Sequence, residues 1–187
     1  MEAVADEMTK AGRRPYVIPL GASTPLGAAG FALGIQEVLT SGLRPDVIVH
    51  SSSSGGTQAG LIAGCALYGL KARVVGISAD DPSASLAATV RLILESLADR
   101  LGGSRASLGA DRDVEVDDGF VGEGYGVPTE RSNEALTLLA RHEGIVLDPV
   151  YTAKAMAGLI ERIRRGSFSA TETVLFWHTG GQAGLFA

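Results

Sequence analysis

Short apolar runs alternate along the chain with longer segments in which apolar residues recur every three or four positions. The runs predict strands and the periodic segments predict helices. Expected strands are 16–20, 47–50, 73–78, 114–116 and 173–178. Expected helices are 1–11, 28–41, 57–70, 129–143 and 152–165. One further helix is expected to start at a cap, Ser83 or Ser85, and to end at Leu101. Nearly continuous apolar strands between helices indicate an α/β fold, a parallel sheet covered by helices on both faces.

Composition places the chain among single-domain soluble proteins. It has 187 residues, of which 45% are hydrophobic, and no repeat or linker divides it, so we expect one domain over 1–187. The net charge of −5, without a basic cluster, argues against a nucleic-acid partner. The single Cys65 excludes an internal disulfide and reads as a buried structural thiol. No apolar run has the length of a membrane span and the N-terminus is polar, so we expect a cytoplasmic protein.

The stretch 47–61, VIVHSSSSGGTQAGL, is the centre of the predicted fold: a strand ends in hydroxyls and glycines, and a helix follows. Backbone amides at such a helix start, together with the helix dipole, favour an anion such as a phosphate. Further along the same helix, Gly60 and Gly64 lie four residues apart. They remove side chains from one face, so we expect the helix to lie very close to the sheet without any ligand being involved.

Ligands of parallel α/β sheets bind at the carboxyl ends of the strands. Four such ends are predicted to converge at one edge, namely 21–27, 51–57, 78–82 and 179–184. Three of the four consist mainly of Gly, Ser and Thr, which suits a small-anion site. The three histidines have no metal-ligand spacing, so we read each as structural and predict no metal site.

The central loop has neither the Walker pattern nor the dinucleotide-binding spacing. The chain as a whole, however, resembles the C-terminal part of the pyridoxal-phosphate enzymes that include D-cysteine desulfhydrase and 1-aminocyclopropane-1-carboxylate deaminase, of the tryptophan synthase beta-like fold. The segments that carry the resemblance are RPYVIPLGASTPLGAAGF, SSSSGGTQAGL, GYGVPTERSNEALTLLARHEGIVLDPVYTAKAMAGLI and VLFWHTGGQAGLFA. It implies pyridoxal 5'-phosphate as cofactor and a small amino acid as substrate.

The resemblance also assigns site residues. It places the cofactor phosphate on Ser54, Gly55, Gly56 and Thr57, in agreement with the anion site read from the loop itself. It makes Tyr125 and Tyr151 catalytic, with phenols that can share a proton with the substrate. The alternatives are structural: Tyr125 could fill a gap in the core, and Tyr151 could simply precede a helix.

Two further positions distinguish the branches of the family. The deaminases have Glu and Leu where this chain has Thr152 and Thr179, and the desulfhydrases tend to have small hydroxyl residues at both. We therefore favour a lyase of the D-cysteine desulfhydrase type, which eliminates thiol to give pyruvate, ammonia and sulfide, with both threonines at the cofactor. A deaminase-type enzyme and a non-catalytic module for a phosphate-bearing ligand remain alternatives, and Thr152 could be no more than a helix cap.

The cofactor's Schiff-base lysine has no match in this chain. In the resembling family it precedes the matched region, as does a small domain, and the only lysines here are Lys10, Lys71 and Lys154. Lys154 matches a different family lysine, which we expect to be exposed on its helix. The chain therefore reads as an incomplete large domain: a fragment, half of a split enzyme, or a stand-alone binding domain. We expect a homo-oligomer or a complementing N-terminal polypeptide, and doubt activity of the chain alone.

Overall fold

A computed structural model describes residues 1–181 of the chain. The helices are α1 (Glu2–Lys10), α2 (Pro25–Thr40), α3 (Gly56–Leu67), α4 (Ser83–Leu101), α5 (Glu130–Glu143) and α6 (Thr152–Arg164). The strands are β1 (Val47–Ser52), β2 (Arg73–Ser78), β3 (Glu115–Asp117) and β4 (Val174–Trp177). No helix in the described part of the chain is long and apolar enough to cross a membrane.

The four strands form one sheet in the order β3-β2-β1-β4, and every neighbouring pair is parallel. Successive residues of β1 face opposite sides: Ile48 packs into a core with residues of α2, α3 and α4, whereas Val47 and Val49 pack with residues of α5 and α6. The predicted α/β fold, with helices on both faces of a parallel sheet, is therefore confirmed.

The glycines of α3 do bring this helix very close to a neighbour, but the neighbour is α2 and not the sheet. A Cβ atom at Gly60 would lie 2.2 Å from the Ala28 carbonyl oxygen, and one at Gly64 would lie 2.8 Å from the Ala32 carbonyl oxygen. Side chains at these positions would collide with main chain that cannot move aside. The expectation that α3 packs closely against a neighbour is right, but the expected neighbour, the sheet, is wrong.

The predicted strand at 16–20 is wrong. This segment is extended only until a 3-10 turn at Leu20–Ala22, and Tyr16 and Leu20 are 87% and 78% exposed. Both long edges of β1 are already paired, with β2 and β4. Pro19 also removes a backbone donor that a paired strand would need.

Two helix starts are capped in different ways. The cap predicted for α4 at Ser83 or Ser85 is wrong, because Pro82 is the cap residue and no side chain of α4 caps it. The Ser83 amide instead donates to Asp118 Oδ2 at 2.7 Å, and this bond lowers the pKa of Asp118. At α5 the Thr129 side chain caps the helix start, in a reciprocal pair with Ser132.

Candidate active site

The carboxyl ends of the strands open into a cavity of about 570 Å³. All four segments predicted to converge at this edge contribute to its wall, although the first of them does not follow a strand. Residues 182–184 of the last segment lie outside the described part of the chain. Tyr125 and Tyr151 also line the cavity. The cavity volume suits a small cofactor together with a small substrate.

One wall of the cavity is the start of α3. Gly55, at φ 82°, turns the chain into the helix, and no side chain caps the helix start. Ser54 and Thr57 line the cavity, whereas Gly55 and Gly56 are buried and do not contribute to its wall. The first turn of α3, next to two hydroxyls, offers amide donors that suit a phosphate, and one of them, the Gly56 amide, donates to Ser23 Oγ.

Two partly buried serine side chains, those of Ser23 and Ser54, support this turn. Ser23 Oγ donates to Ser54 Oγ at 2.7 Å and accepts from the Gly56 amide at 3.2 Å. A Cβ atom at Gly56 would lie 2.6 Å from Ser23 Oγ, so glycine is required for this contact. Sequence analysis missed Ser23, because a loop serine before α2 carries no signal of its contact with residues 31 to 33 positions later.

His50 and Ser51 lie at the end of β1, beneath the loop. Burial lowers the pKa of His50 to about 4, and its Nδ1 lies 2.8 Å from the Ser51 carbonyl oxygen. His50 Nε2 and Ser51 Oγ have no hydrogen-bond partner within residues 1–181. His50 is therefore neutral at physiological pH, while Ser51 contributes to the cavity wall with its hydroxyl oxygen buried.

The other two histidines are placed differently. His178 Nε2 lies 3.1 Å from the Val146 carbonyl oxygen, and its Nδ1 accepts from the Gly180 amide, so His178 braces the loop after β4. His142 is exposed on α5. Over residues 1–181, no group of three or more His, Cys, Asp or Glu side chains could hold a metal ion.

Tyr125 and Tyr151, predicted as the catalytic pair, are brought together by the fold. Their hydroxyls are hydrogen-bonded to each other, and their rings meet edge to face with centroids 5.7 Å apart. Burial first, then the bond to Tyr125 and the charges of Asp80 and Asp148, raise the pKa of Tyr151 to about 12. Tyr151 is therefore a neutral phenol at physiological pH and can donate or relay a proton.

Asp148 is a site residue that sequence analysis missed. It lines the cavity, and its carboxylate accepts from the amides of Val150, Tyr151 and Thr152 and from the Thr152 hydroxyl. These bonds cap α6 and fix the position of Tyr151. The signal was present, because Asp a few residues before a predicted helix is a typical cap.

The two threonines predicted at the cofactor have different surroundings. Thr179 lines the cavity. Thr152 is buried; its hydroxyl donates to Asp148 Oδ2 at 2.6 Å and accepts from the Asp148 amide at 2.8 Å, and the residue does not contribute to the wall. Thr152 is not the cap of its helix either, because the cap residue of α6 is Tyr151 and, within residues 1–181, the Thr152 hydroxyl bonds only to Asp148.

Lys154 is not the exposed helical lysine that we expected. It is 1% exposed, and its Nζ donates to the carbonyl oxygens of Val121 at 2.7 Å, Gly124 at 2.9 Å and Ala79 at 3.5 Å. Burial lowers its pKa, against the charge of Asp80. The helical period correctly predicts that Lys154 lies one turn after Tyr151. Its burial depends on the loop at 118–128, which covers this face of α6 and which the helical period does not reveal.

Comparisons with known proteins identify the family of the chain. A family model described as "Pyridoxal-phosphate dependent enzyme" matches residues 1–180. A 1-aminocyclopropane-1-carboxylate deaminase of Burkholderia multivorans (strain ATCC 17616 / 249) is 40% identical over 191 residues, covering 100% of this chain and 56% of the relative. This chain therefore spans little more than half the length of that curated relative.

Solved structures give the same result for the fold. A structure described as an ACC deaminase homologue matches with a TM-score of 0.88 and 34% identity, over 98% of this chain and 54% of the other. A processed threonine deaminase isoform 2 from Solanum lycopersicum matches with a TM-score of 0.60 and 13% identity, over 94% and 51% of the two chains, which shows a shared fold alone.

Proposed function

The chain belongs to the family of pyridoxal-phosphate dependent enzymes, and we propose that it forms the cofactor-phosphate side and the tyrosine side of a lyase that releases ammonia from a small amino acid. The observation that carries this proposal is the shared cavity. The start of α3 forms one of its walls through Ser54 and Thr57, and the Tyr125–Tyr151 pair forms another.

The phosphate end of the cofactor fits the start of α3. Ser54 and Thr57 would donate their hydroxyls and first-turn amides their N–H groups, while Gly55 turns the chain into the helix and Gly56 makes room for Ser23. When bound, the cofactor supplies an electron sink that labilises bonds at the substrate's α carbon.

The tyrosine side would handle protons. Because Tyr151 is neutral, it can donate to a substrate group and accept a proton again through Tyr125. Asp148 holds the Tyr151 backbone in place, and Thr179 offers a hydroxyl on the same wall.

None of the three lysines lines the cavity. These residues therefore fit the phosphate of the cofactor but supply no lysine that could bond covalently to its aldehyde. In the resembling family, that lysine precedes the matched region. The proposal therefore assigns the anchor to polypeptide beyond these residues, as part of a longer chain or as a complementing partner, and we propose assembly with it or with a second copy.

Two substrates fit the proposal. Both the curated relative and the structure with a TM-score of 0.88 bear the deaminase name, which favours ring opening of 1-aminocyclopropane-1-carboxylate and water addition to give 2-oxobutanoate and ammonia. Hydroxyl residues at 152 and 179 favour our second candidate, elimination of sulfide from a cysteine-like amino acid, with pyruvate and ammonia as the other products. We place the deaminase first, because the relatives match over the whole of this chain.

Cofactor binding tests the first part of the proposal. Titration of the purified chain with pyridoxal phosphate, followed by absorbance and calorimetry, should show reversible binding that inorganic phosphate competes away. Thr57→Val should weaken it about tenfold, the value of one hydrogen bond to a charged group. Thr137→Val, on the exposed face of α5, is the matched control and should bind as the parent does.

Borohydride reduction and peptide mapping complete that experiment. No labelled lysine is expected, and labelling of Lys154 would contradict the assignment of the anchor to another segment. If inorganic phosphate does not weaken cofactor binding, the cofactor binds elsewhere and the proposal is overturned.

The substrate is tested on the full-length protein, or on this chain with its complementing segment. Ammonia with 2-oxobutanoate from 1-aminocyclopropane-1-carboxylate supports the deaminase, and sulfide with pyruvate from D-cysteine supports the second candidate. If the assembled protein binds the cofactor but acts on neither compound, it is a binding module or uses another amino acid.

A further inference from the structure

The ammonium of Lys154 joins three segments that border the cavity. Its acceptors are the carbonyl oxygens of Ala79, at the end of β2, and of Val121 and Gly124, in the loop before α5. Each acceptor is close in sequence to a residue of the cavity wall: Ala79 precedes Asp80, and Gly124 precedes Tyr125. Lys154 itself lies three residues after Tyr151 on α6.

Burying this ammonium has a cost that its hydrogen bonds must offset. No salt bridge to Lys154 is found within residues 1–181, so three main-chain carbonyls solvate the charge, one for each N–H. A methionine would fill nearly the same volume without any such cost. If the lysine only filled space, its charge would be a pure liability.

The loop that carries Tyr125 is anchored at its start, where Phe120 is buried and Asp118 accepts from the Ser83 amide, and is less constrained from Val121 onward. Gly122, Gly124 and Gly126 all adopt positive φ angles, and the loop between them is open to solvent at Tyr125. Its own backbone bonds are short-range, from Val121 to Asp118 and from Val127 to Gly124. Such a segment is mobile unless contacts from elsewhere hold it.

We propose that Lys154 is a positioning residue: its ammonium holds the loop at Val121 and Gly124 against α6, and thereby keeps the Tyr125 hydroxyl on that of Tyr151. It acts through the loop and not on a ligand. The inference rests on the proposed function only for the catalytic value of the tyrosine pair, and its test measures the pair directly, in the absence of cofactor and substrate.

The charged and titratable groups that face the tyrosine pair decide whether the pKa of Tyr151 rises or falls when Lys154 is replaced. Besides Tyr125, they are Asp80 from the end of β2 and Asp148 from the start of α6, both of which help to raise the pKa of Tyr151. Removal of a positive charge at 154 would by itself raise that pKa further. Separation of the two phenols would lower it, because the bond to Tyr125 is lost and water enters. The two effects have opposite signs.

The experiment is a pH titration of the chain labelled with 13C at the tyrosine ζ carbons, with the four signals assigned by Tyr→Phe variants. In the parent chain the midpoint of Tyr151 is expected near 12. Lys154→Met should lower it toward the midpoint measured in Tyr125→Phe, where the partner hydroxyl is absent, with the charge lost at 154 offsetting part of the fall. Lys71→Met removes an exposed lysine and is the matched control, with the parental midpoint. An unchanged or raised midpoint in Lys154→Met overturns the proposal.

A measurement on the parent chain keeps the proposal testable if Lys154→Met does not fold. Because the pKa of Lys154 is lowered, its ammonium loses a proton before Tyr151 does as the pH rises, and one of its hydrogen bonds is then lost. The amide signals of residues 121–126 should shift with the same midpoint as the Lys154 15Nζ signal. If those amides do not follow the lysine, the loop does not depend on it and the proposal fails.

Discussion

The two sides of the cavity are constructed in different ways. The phosphate side comes from one contiguous stretch, Ser54 to Thr57, whose hydroxyls and amides lie at a helix start. The tyrosine side joins hydroxyls 26 positions apart, and a buried carboxylate and a buried ammonium fix the segments that carry them. A backbone site of this kind is determined by local sequence, whereas a side-chain site depends on distant contacts that must all be made.

The supports of the two sides also differ in chemistry. Close contact between α2 and α3 at Gly60 supports the phosphate side, so that side is sensitive to volume. Satisfied polar groups, Asp148 and Lys154, support the tyrosine side, so that side is sensitive to the loss of single hydrogen bonds. Substitutions of each kind should therefore damage one side and spare the other.

The largest effect is expected from Gly60→Ala. The new methyl would lie 2.2 Å from the Ala28 carbonyl oxygen and 2.6 Å from Phe31 Cβ, so α2 and α3 must move apart, at a cost of about 3 kcal/mol of unfolding free energy. Urea denaturation measures the loss. Gly30→Ala, at an exposed position of α2 with open space around it, is the control and should gain about 1 kcal/mol. Equal stability of the two variants would show that the contact is not tight.

A slightly smaller effect is expected from Asp148→Asn, which targets the tyrosine side. The amide group can accept from two of the four donors but presents N–H groups to the others, which should cost about 2 kcal/mol. Phosphate affinity, measured by calorimetry, should stay within twofold of the parent, while the Tyr151 signal shifts in the 13C spectrum. Asp81→Asn, at an exposed residue, is the control. Loss of phosphate affinity in Asp148→Asn would show that the two sides are not separate.

The third effect depends on pH and arises beneath the phosphate side. The pKa of His50 is lowered from 6.5 to about 4 in the folded chain, so the unfolded chain binds more protons in between. Stability is therefore full above pH 6.5 and is lost as the pH falls, by about 2 kcal/mol down to about pH 5. Urea denaturation at several pH values measures this slope, which His50→Gln should remove and His142→Gln should not. A parental slope in His50→Gln would assign the acid sensitivity to other groups.

Much of the fold follows from pattern alone. The spacing of apolar residues placed six helices and four strands within a few residues of their positions, because buried faces impose their period on the sequence. The segment 16–20 has the same apolar character but forms no strand, since Pro19 lacks a backbone donor and strand pairing depends on contacts that a local pattern does not record. Likewise the glycine row indicated close packing, and only the assembled helices showed that α2 is the partner.

For the site itself, local sequence predicted the anion loop at the start of α3, because its glycines and hydroxyls are contiguous, and the resemblance predicted the two tyrosines that the fold brings together. The tertiary structure decided the rest: that Ser23 braces the loop, that Asp148 takes up the Thr152 hydroxyl, and that Lys154 is buried. The physical reason is the same in each case. A side chain's environment depends on residues up to 75 positions away, and no local pattern records which of them will supply its hydrogen bonds.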